Sequence, residues 1–320
     1  MIRPGDLVLA RDHDRKQLHR ALQDGVVTRL RVGAYLGVDT DDGRAAYGSR
    51  RAKVLMRAVH RQLRAPHTFS HQSAALWWGC SLWKHPDQTH LVQDYRASGR
   101  AAKDVKRHRG TVPDDQRALE RGLPVTTLAR TVVDCALSMH PMEALVIADS
   151  ALRLQPALDL DEARAILDGV LRRNGRVRAR WVLDHADGGA DSPWETWTRY
   201  LCLRVSLPRP LTQAPVVTRL GTYHCDLGWP DHGVYVEFDG RVKYLDDGVR
   251  RGHDAREELL REKRRTDALH EAGVLPVRVM AGDARPAPGT ETVLQRIARR
   301  FPAPVRRQLR VVPFLPPPVI

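Results

Sequence analysis

Apolar and polar positions alternate most regularly between Tyr223 and Asp239. Val234, Val236 and Phe238 fall on one side of that pattern, and Tyr235, Glu237 and Asp239 on the other. Pro230-Asp231-His232-Gly233 interrupts it with turn residues, which predicts a hairpin with a four-residue loop. In that register Trp229 pairs with Val234, Asp226 stands opposite Glu237, and His224 stands opposite Asp239. Around the hairpin the pattern predicts a helix from Ser192, with Trp197, Leu201 and Val205 as its stripe, and a strand over Val216–Leu220. A long helix follows over Asp254–Ala272, then a strand over Val274–Met280. Ser192-Pro193-Trp194-Glu195 has the form of a capping box, a complete structural role for Glu195. Lys263 falls at the edge of the long helix's apolar stripe.

The N-terminal pattern is shorter-ranged. Leu18 and Leu22 share a face of a helix over Asp14–Asp24, capped by Asp14 and ended by Gly25. Two short strands, Val26–Val32 and Gly33–Gly37, complete the outline of a trimmed winged helix-turn-helix. Lys16 and Arg20, with Arg15 and His19, fall on its groove side, and Arg29 and Arg31 on its wing. A solvated charged helix beside a hairpin explains the same spacing. The middle of the chain reads as a mainly helical scaffold: helices over Arg50–Arg64, Phe69–Trp83, the stretch after Thr127 and Met142–Leu152, and a helical pair over Leu158–His185 broken at Asn174-Gly175. A short strand lies at Thr89–Gln93 and a polar loop at Asp94–Arg109. Trp77 and Trp78 read as core residues ahead of base-stacking ones. The class is therefore α/β (α+β), divided as 1–48 (winged-helix-like), 49–186 (scaffold), 190–285 (mixed sheet flanked by helices) and 286–320 (a helix and Pro-rich tail).

Charge changes the picture of partners. Lys and Arg total 52 against 38 Asp and Glu in 320 residues, a net charge of +14 and a pI near 10.2. Such an excess favours a polyanionic partner, DNA ahead of a membrane surface, although Arg-rich composition alone can produce it. The four cysteines are widely spaced, with no C-x-x-C, and read as buried thiols of a cytoplasmic protein. No apolar run is long enough to span a bilayer.

The candidate chemistry sits on the hairpin. Directly paired residues share a face with Cβ atoms about 4.5–5.5 Å apart, so Asp226 opposite Glu237 needs a neutralising partner. A divalent cation is the obvious one.

Two stretches resemble known families. The helix–Gly–hydrophobic–Arg-x-Arg-x-Gly-x-Tyr order of residues 18–35 resembles the winged helix of AbiEi-type antitoxins, and Gly-Leu-Pro-Val-Thr-Thr-x-Ala-Arg-Thr-Val-x-Asp, ending at Asp134, resembles the segment that follows it there. Residues 190–285 resemble the PD-(D/E)XK restriction-endonuclease superfamily, in its very-short-patch (Vsr-type) branch. Asp226, Val-Glu237-Phe-Asp239-Gly240, Glu262-Lys263-Arg264-Arg265-x-Asp267-Ala-Leu269 and Gly273-x-x-x-Val-Arg278-Val carry that likeness. It implies that Asp226 and Glu237 ligate Mg2+ (or Mn2+), with Glu195 reaching in. Asp239 stands where the superfamily has lysine, so Lys243 or Lys263 would have to serve, and Arg264 would contact nucleic acid.

Three functions are compatible with these residues: a metal-dependent DNA endonuclease, a non-catalytic DNA-binding regulator of the antitoxin type with a possible cognate toxin, and a structural or protein-binding module. Convergence of Glu195, Asp226, Glu237 and a lysine would favour the first.

Overall fold

The structure, a computed structural model, describes residues 2–39, 44–95, 102–170, 174–239 and 255–320. It divides into two compact units, one made of Met1–Ser138 with Leu154–Arg176, the other of Met139–Arg153 with Val177–Ile320. The expected α/β class is seen, with helices and three sheets.

In the first unit, β1 (Leu7–Leu9), α1 (Arg15–Gln23), β2 (Val27–Arg31) and β3 (Ala34–Gly37) come first. The Asp14 carboxylate accepts from the N–H groups of Lys16 and Gln17 and so satisfies two donors that α1 cannot. Leu18 closes this small helix onto Val8 and Val27 of the sheet, whose order is β1-β3-β2. β1, absent from the sequence-based outline, supplies the third strand. α2 (Arg44–Gln62) starts ahead of the predicted Arg50 and packs Val54, Leu55, Met56 and Val59 between the small sheet and a larger one.

That larger sheet corrects the reading of a mainly helical middle. β4 (Thr68–Phe69), β5 (Thr89–Gln93), β6 (Val105–Arg109), β7 (Arg117–Glu120) and β8 (Leu123–Thr126) form five strands in the order β6-β5-β4-β8-β7. Val105-Lys-Arg-His-Arg109 has the composition of a solvated loop. It is a strand because each of its residues finds a parallel partner on β5, from Thr89–Val105 to Gln93–Arg109. Between the strands, α3 (His71–Trp78) is shorter than predicted and ends at Gly79, whose φ of 100° is the left-handed conformation that glycine favours. The indole N–H groups of Trp77 and Trp78 donate to the carbonyls of Glu120 (2.7 Å) and Thr126 (2.9 Å), the structural role expected of them. α3 packs against α4 (Leu128–Ser138).

The second unit begins with α5 (Pro141–Ala151). The next helix, α6 (Leu160–Gly169), belongs to the first unit, and α7 (Arg176–His185) leads into α8 (Pro193–Arg204). Then follow β9 (Leu211–Thr218), β10 (Gly221–Trp229), β11 (Val234–Phe238), α9 (Ala255–Glu271), β12 (Val277–Val279), α10 (Val293–Ala298) and α11 (Ala303–Arg307). β9, β10 and β11 are antiparallel neighbours and β12 joins β11 in parallel, giving a helix–three strands–helix–strand core. The Pro-rich end of the chain lies along α8: Tyr200 Oη donates to the carbonyl of Pro316 (2.8 Å), Arg204 Nε to that of Leu315 (3.0 Å), and Leu315 is buried.

A buried ion pair fixes α8. Arg199 Nη2 donates to Asp149 Oδ2 at 2.6 Å, both side chains being sealed from solvent. The same carboxylate accepts from Thr196 Oγ1 (2.8 Å) and the Asp187 N–H (2.8 Å), while Arg199 Nη1 donates to the carbonyl of His185 (2.6 Å). The pair therefore ties α5, the end of α7, the 186–191 connection and α8 together. Removing one member leaves an uncompensated charge in a low-dielectric interior. Asp149→Ala is expected to lower unfolding free energy by about 3–5 kcal/mol. Asp149→Leu combined with Arg199→Met is expected to lose less than Asp149→Ala alone, as measured by urea unfolding.

Candidate functional site

Glu195 sits in the first turn of α8. Ser192 Oγ accepts from the Glu195 N–H (3.2 Å), half of the predicted capping box. The return bond reaches one residue further back, with Glu195 Oε2 accepting from the Asp191 N–H (2.8 Å). The side chain is 7% exposed. Burial first, then the nearby Asp226 carboxylate, pushes Glu195 up to about 7 from the ordinary 4.5.

Asp226 and Glu237 arrive from β10 and β11. The predicted register is present: Trp229 pairs with Val234, Gly228 with Tyr235 and Leu227 with Val236. Pro230–His232 makes the turn, and Gly233 takes the left-handed conformation (φ 63°) that closes it. One step beyond Leu227 the alternation breaks. The β9–β10 ladder passes from Leu227–Thr212 to Cys225–Ala214 without pairing Asp226, and Gln213 has a φ of 48°. Across this irregularity Ala214 and Gly228 come onto one face with Tyr235, so that a Cβ at Gly228 would run into both side chains.

On β10 the Cys225 side chain reaches Glu237, its Sγ lying 3.7 Å from Oε1. The Asp226 carboxylate turns to accept the N–H of Phe238 at 2.6 Å. The expectation of two carboxylates face to face is thus corrected to two neighbours on a kinked rung. They still interact: Asp226, with Glu262, adds to the burial that raises the Glu237 carboxyl. Trp194, beside Glu195, stacks on Phe238, beside Glu237, with ring centroids 5.3 Å apart.

The cation reaching this group is Arg265, which the sequence did not single out. Its Nη2 lies 2.5 Å from Glu237 Oε1 and 2.9 Å from the carbonyl of His224. Arg265 and Leu269 are one helical turn apart on the inward side of α9, where Leu269 joins Val216 and Cys225 in a core cluster. That i,i+4 relation was legible. Lys263 lies two positions earlier, about 200° round the helix, and is exposed. The expectation that Lys263 approaches the carboxylates is corrected by that rotation. Lys243, the other candidate, lies outside the described residues.

Beside the acids lies a basic cavity of about 280 Å³ lined by Arg278, Arg296, Arg299, Arg300 and His270. Arg278 connects the two sites. It pairs with Glu237 across the β11–β12 ladder, lowers the Glu237 carboxyl, and donates to Glu262 Oε1 (3.0 Å) and Thr266 Oγ1 (2.9 Å). Arg296 is held by Asp283 at 2.6 Å, and its buried Nε has no partner among the described residues.

Of the predicted nucleic-acid contacts, Lys16, Arg20 and Arg29 are exposed on α1 and β2, and Arg264 is exposed on α9. Arg31 is not presented to solvent in the same way: its Nε pairs with Asp104 at 3.1 Å and its side chain is 14% exposed. Alternation alone would keep it beside Arg29 on the wing, but the β2–β3 register shifts between Arg29 and Arg31, and Arg31 turns towards the β5–β6 connection instead.

No family model matches the chain. Over 181 residues it is 31% identical to uncharacterized protein MT2308 of Mycobacterium tuberculosis strain CDC 1551 / Oshkosh. The figures are the same for uncharacterized protein Rv2248 of strain ATCC 25618 / H37Rv. These matches take in 56% of this chain and 62% of each relative, so the chain spans less than two thirds of the curated relatives' length. Among solved structures it is similar to the RV2827C protein from Mycobacterium tuberculosis, with a TM-score of 0.36 and 17% identity over 60% of this chain and 74% of that one.

The raised Glu195 carboxyl makes stability depend on pH. The native state holds this proton after the unfolded chain has released it, so its contribution is complete below 4.5 and is lost as pH rises through about 7. Glu195→Gln, which cannot ionise, is expected to gain stability over the wild type progressively between about pH 5 and about pH 8. A constant difference between the two unfolding curves across that range would contradict the assignment.

Proposed function

We propose that the second unit is a divalent-metal-dependent nuclease acting on DNA, with the phosphodiester as the bond hydrolysed. The observation that carries this reading is the electrostatic crowding of Asp226 with both Glu195 and Glu237 on a helix–strand–strand framework. Asp226 adds to the burial that raises both of its neighbours, a crowding of negative charge that a cation relieves.

The donor types suit Mg2+ or Mn2+, three hard-oxygen carboxylates with the Cys225 thiol pushed up to about 12 by burial, but their oxygens do not all stand within 4.8 Å of one another, so an ion would have to draw them together. Asp226 and Glu237 would hold the ion and Glu195 would complete the set. When bound, the ion supplies a water activated for attack and offsets charge on the leaving oxygen. Arg278, Arg296, Arg299 and Arg300 offer a phosphate the charged donors that bind it best, next to the acids. In the first unit Lys16, Arg20 and Arg29 would add sequence-independent contacts to the DNA backbone.

Three observations also favour a second reading. Arg265 already neutralises Glu237, Asp239 occupies the lysine position of the superfamily, and Lys263 faces solvent. This arrangement suits a nuclease-like platform that binds DNA without cutting it, as a regulator of the antitoxin type with a cognate toxin would.

Nicking of supercoiled plasmid in millimolar Mg2+ or Mn2+ separates the two. The nuclease reading expects cleavage that Asp226→Ala and Glu237→Ala abolish. It also expects Arg299→Gln with Arg300→Gln to raise KM more than it lowers kcat. Cleavage undiminished in both acid variants excludes this site. A gel shift that Lys16→Ala with Arg20→Ala weakens, with no cleavage by the wild type, establishes the second reading in its place.

A further inference from the structure

We propose that His71, His90 and His108 form a binding site for a late first-row divalent transition metal, zinc being the representative ion, in the first unit and independent of the carboxylate site. Among the described residues this is the one group of three or more His, Cys, Asp or Glu side chains whose ligand atoms all lie within 4.8 Å of one another. Glu195, Asp226 and Glu237 do not form such a group.

The site is assembled by sheet pairing. β5 and β6 run parallel with Val92 opposite His108, which places His90 and His108 on one face of neighbouring strands. His90 Nδ1 and His108 Nε2 are 3.2 Å apart. Two nitrogens on a tetrahedral zinc, each at about 2.1 Å, stand about 3.4 Å apart, so this separation is already that of a ligand pair. His71 enters from the start of α3, its ring stacked on that of His108 with centroids 3.7 Å apart. Its Nδ1 is engaged by Ser70 Oγ at 2.9 Å, so Nε2 is the nitrogen it offers an ion. This is the second-sphere hydrogen bond that fixes the tautomer of a ligating histidine.

His71 also carries backbone strain. Its φ is 52°, left-handed in a non-glycine residue at a helix start, a conformation that costs energy unless the surroundings impose it. His71 and His90 are buried and His108 is half-buried, so an ion has a route in past His108. An ion held by all three rings replaces the His90–His108 hydrogen bond and tilts the stacked His71 and His108 rings apart.

The electrostatics are compatible. Of the nearby cations, Arg130 is paired with Asp134 at 2.8 Å and Lys106 is exposed. Three imidazoles suit zinc or its neighbours better than Mg2+. They leave the fourth tetrahedral position to water or to a small exogenous ligand.

The test uses the full chain, stripped with chelator, equilibrated with zinc, desalted and assayed for metal. One zinc per chain is expected in the wild type and in the Asp226→Ala, Glu237→Ala double variant. His90→Gln with His108→Gln is expected to fall at least tenfold while keeping its circular dichroism. Substitution with cobalt(II) should give the intense visible absorption of a tetrahedral ion. Should the histidine variant not fold, thermal unfolding of the wild type decides: zinc, but not Mg2+, must raise Tm. No retained zinc and no zinc-dependent Tm shift in the wild type would overturn the site, as would unchanged zinc binding by a folded histidine variant. Loss of nuclease activity in the acid variants with zinc retained would keep the two sites distinct.

Discussion

The second unit depends on one buried ion pair. With both side chains sealed from solvent, Asp149 and Arg199 exclude water from a contact that α5, α7, the 186–191 connection and α8 all share. Desolvating two charges is costly, and their attraction compensates only because hydrogen bonds from Thr196 and the Asp187 N–H satisfy the remaining carboxylate valence. What the arrangement achieves is position. α8 cannot rotate without breaking that network, and Glu195 lies one turn from Arg199 on the same helix. The ion pair therefore sets where the carboxyl of Glu195 meets the field of Asp226.

At the candidate site the contest is between two neutralising partners for the same negative charge. Arg265 satisfies Glu237 in this structure, and a divalent ion bound by Asp226 and Glu237 would compete for that oxygen. The kinked rung at Gln213 and Asp226 shapes the contest. It sends Asp226 to the Phe238 N–H and leaves Cys225 against Glu237, so the two carboxylates are coupled without being stacked. Arg278 lies between Glu237 and the arginine-lined cavity, so one side chain faces both the acidic and the basic group.

Much of this was legible locally. The hairpin register, its loop, the Asp14 cap, the Ser192 cap and the long helix ended by Gly273 follow from turn chemistry, capping and periodicity, which act over a few residues. All four cysteines are buried free thiols, as their spacing suggested. Among the described residues no helix is long and apolar enough to cross a membrane. The five-stranded sheet was not legible, because β6 is a charged segment whose only reason to be extended is a partner distant in sequence. The inward turn of Arg31 was hidden as well, since it depends on a register shift in the β2–β3 pair and on Asp104 from the β5–β6 connection.

By itself, then, the sequence determined the α/β class, the hairpin and which acids stand on it, because local backbone preferences and alternation decide those. Only the tertiary structure decided what each acid meets. An irregular rung shared by β9 and β10 moved Asp226 off the face of Glu237, and the packing of α9 on the sheet brought Arg265 to Glu237. Parallel pairing of β5 with β6 brought His90 and His108 within ligand distance of one another, with His71 stacked alongside. In each case the deciding quantity is a distance between residues far apart in the chain, set by long-range pairing and packing rather than by any short stretch of sequence.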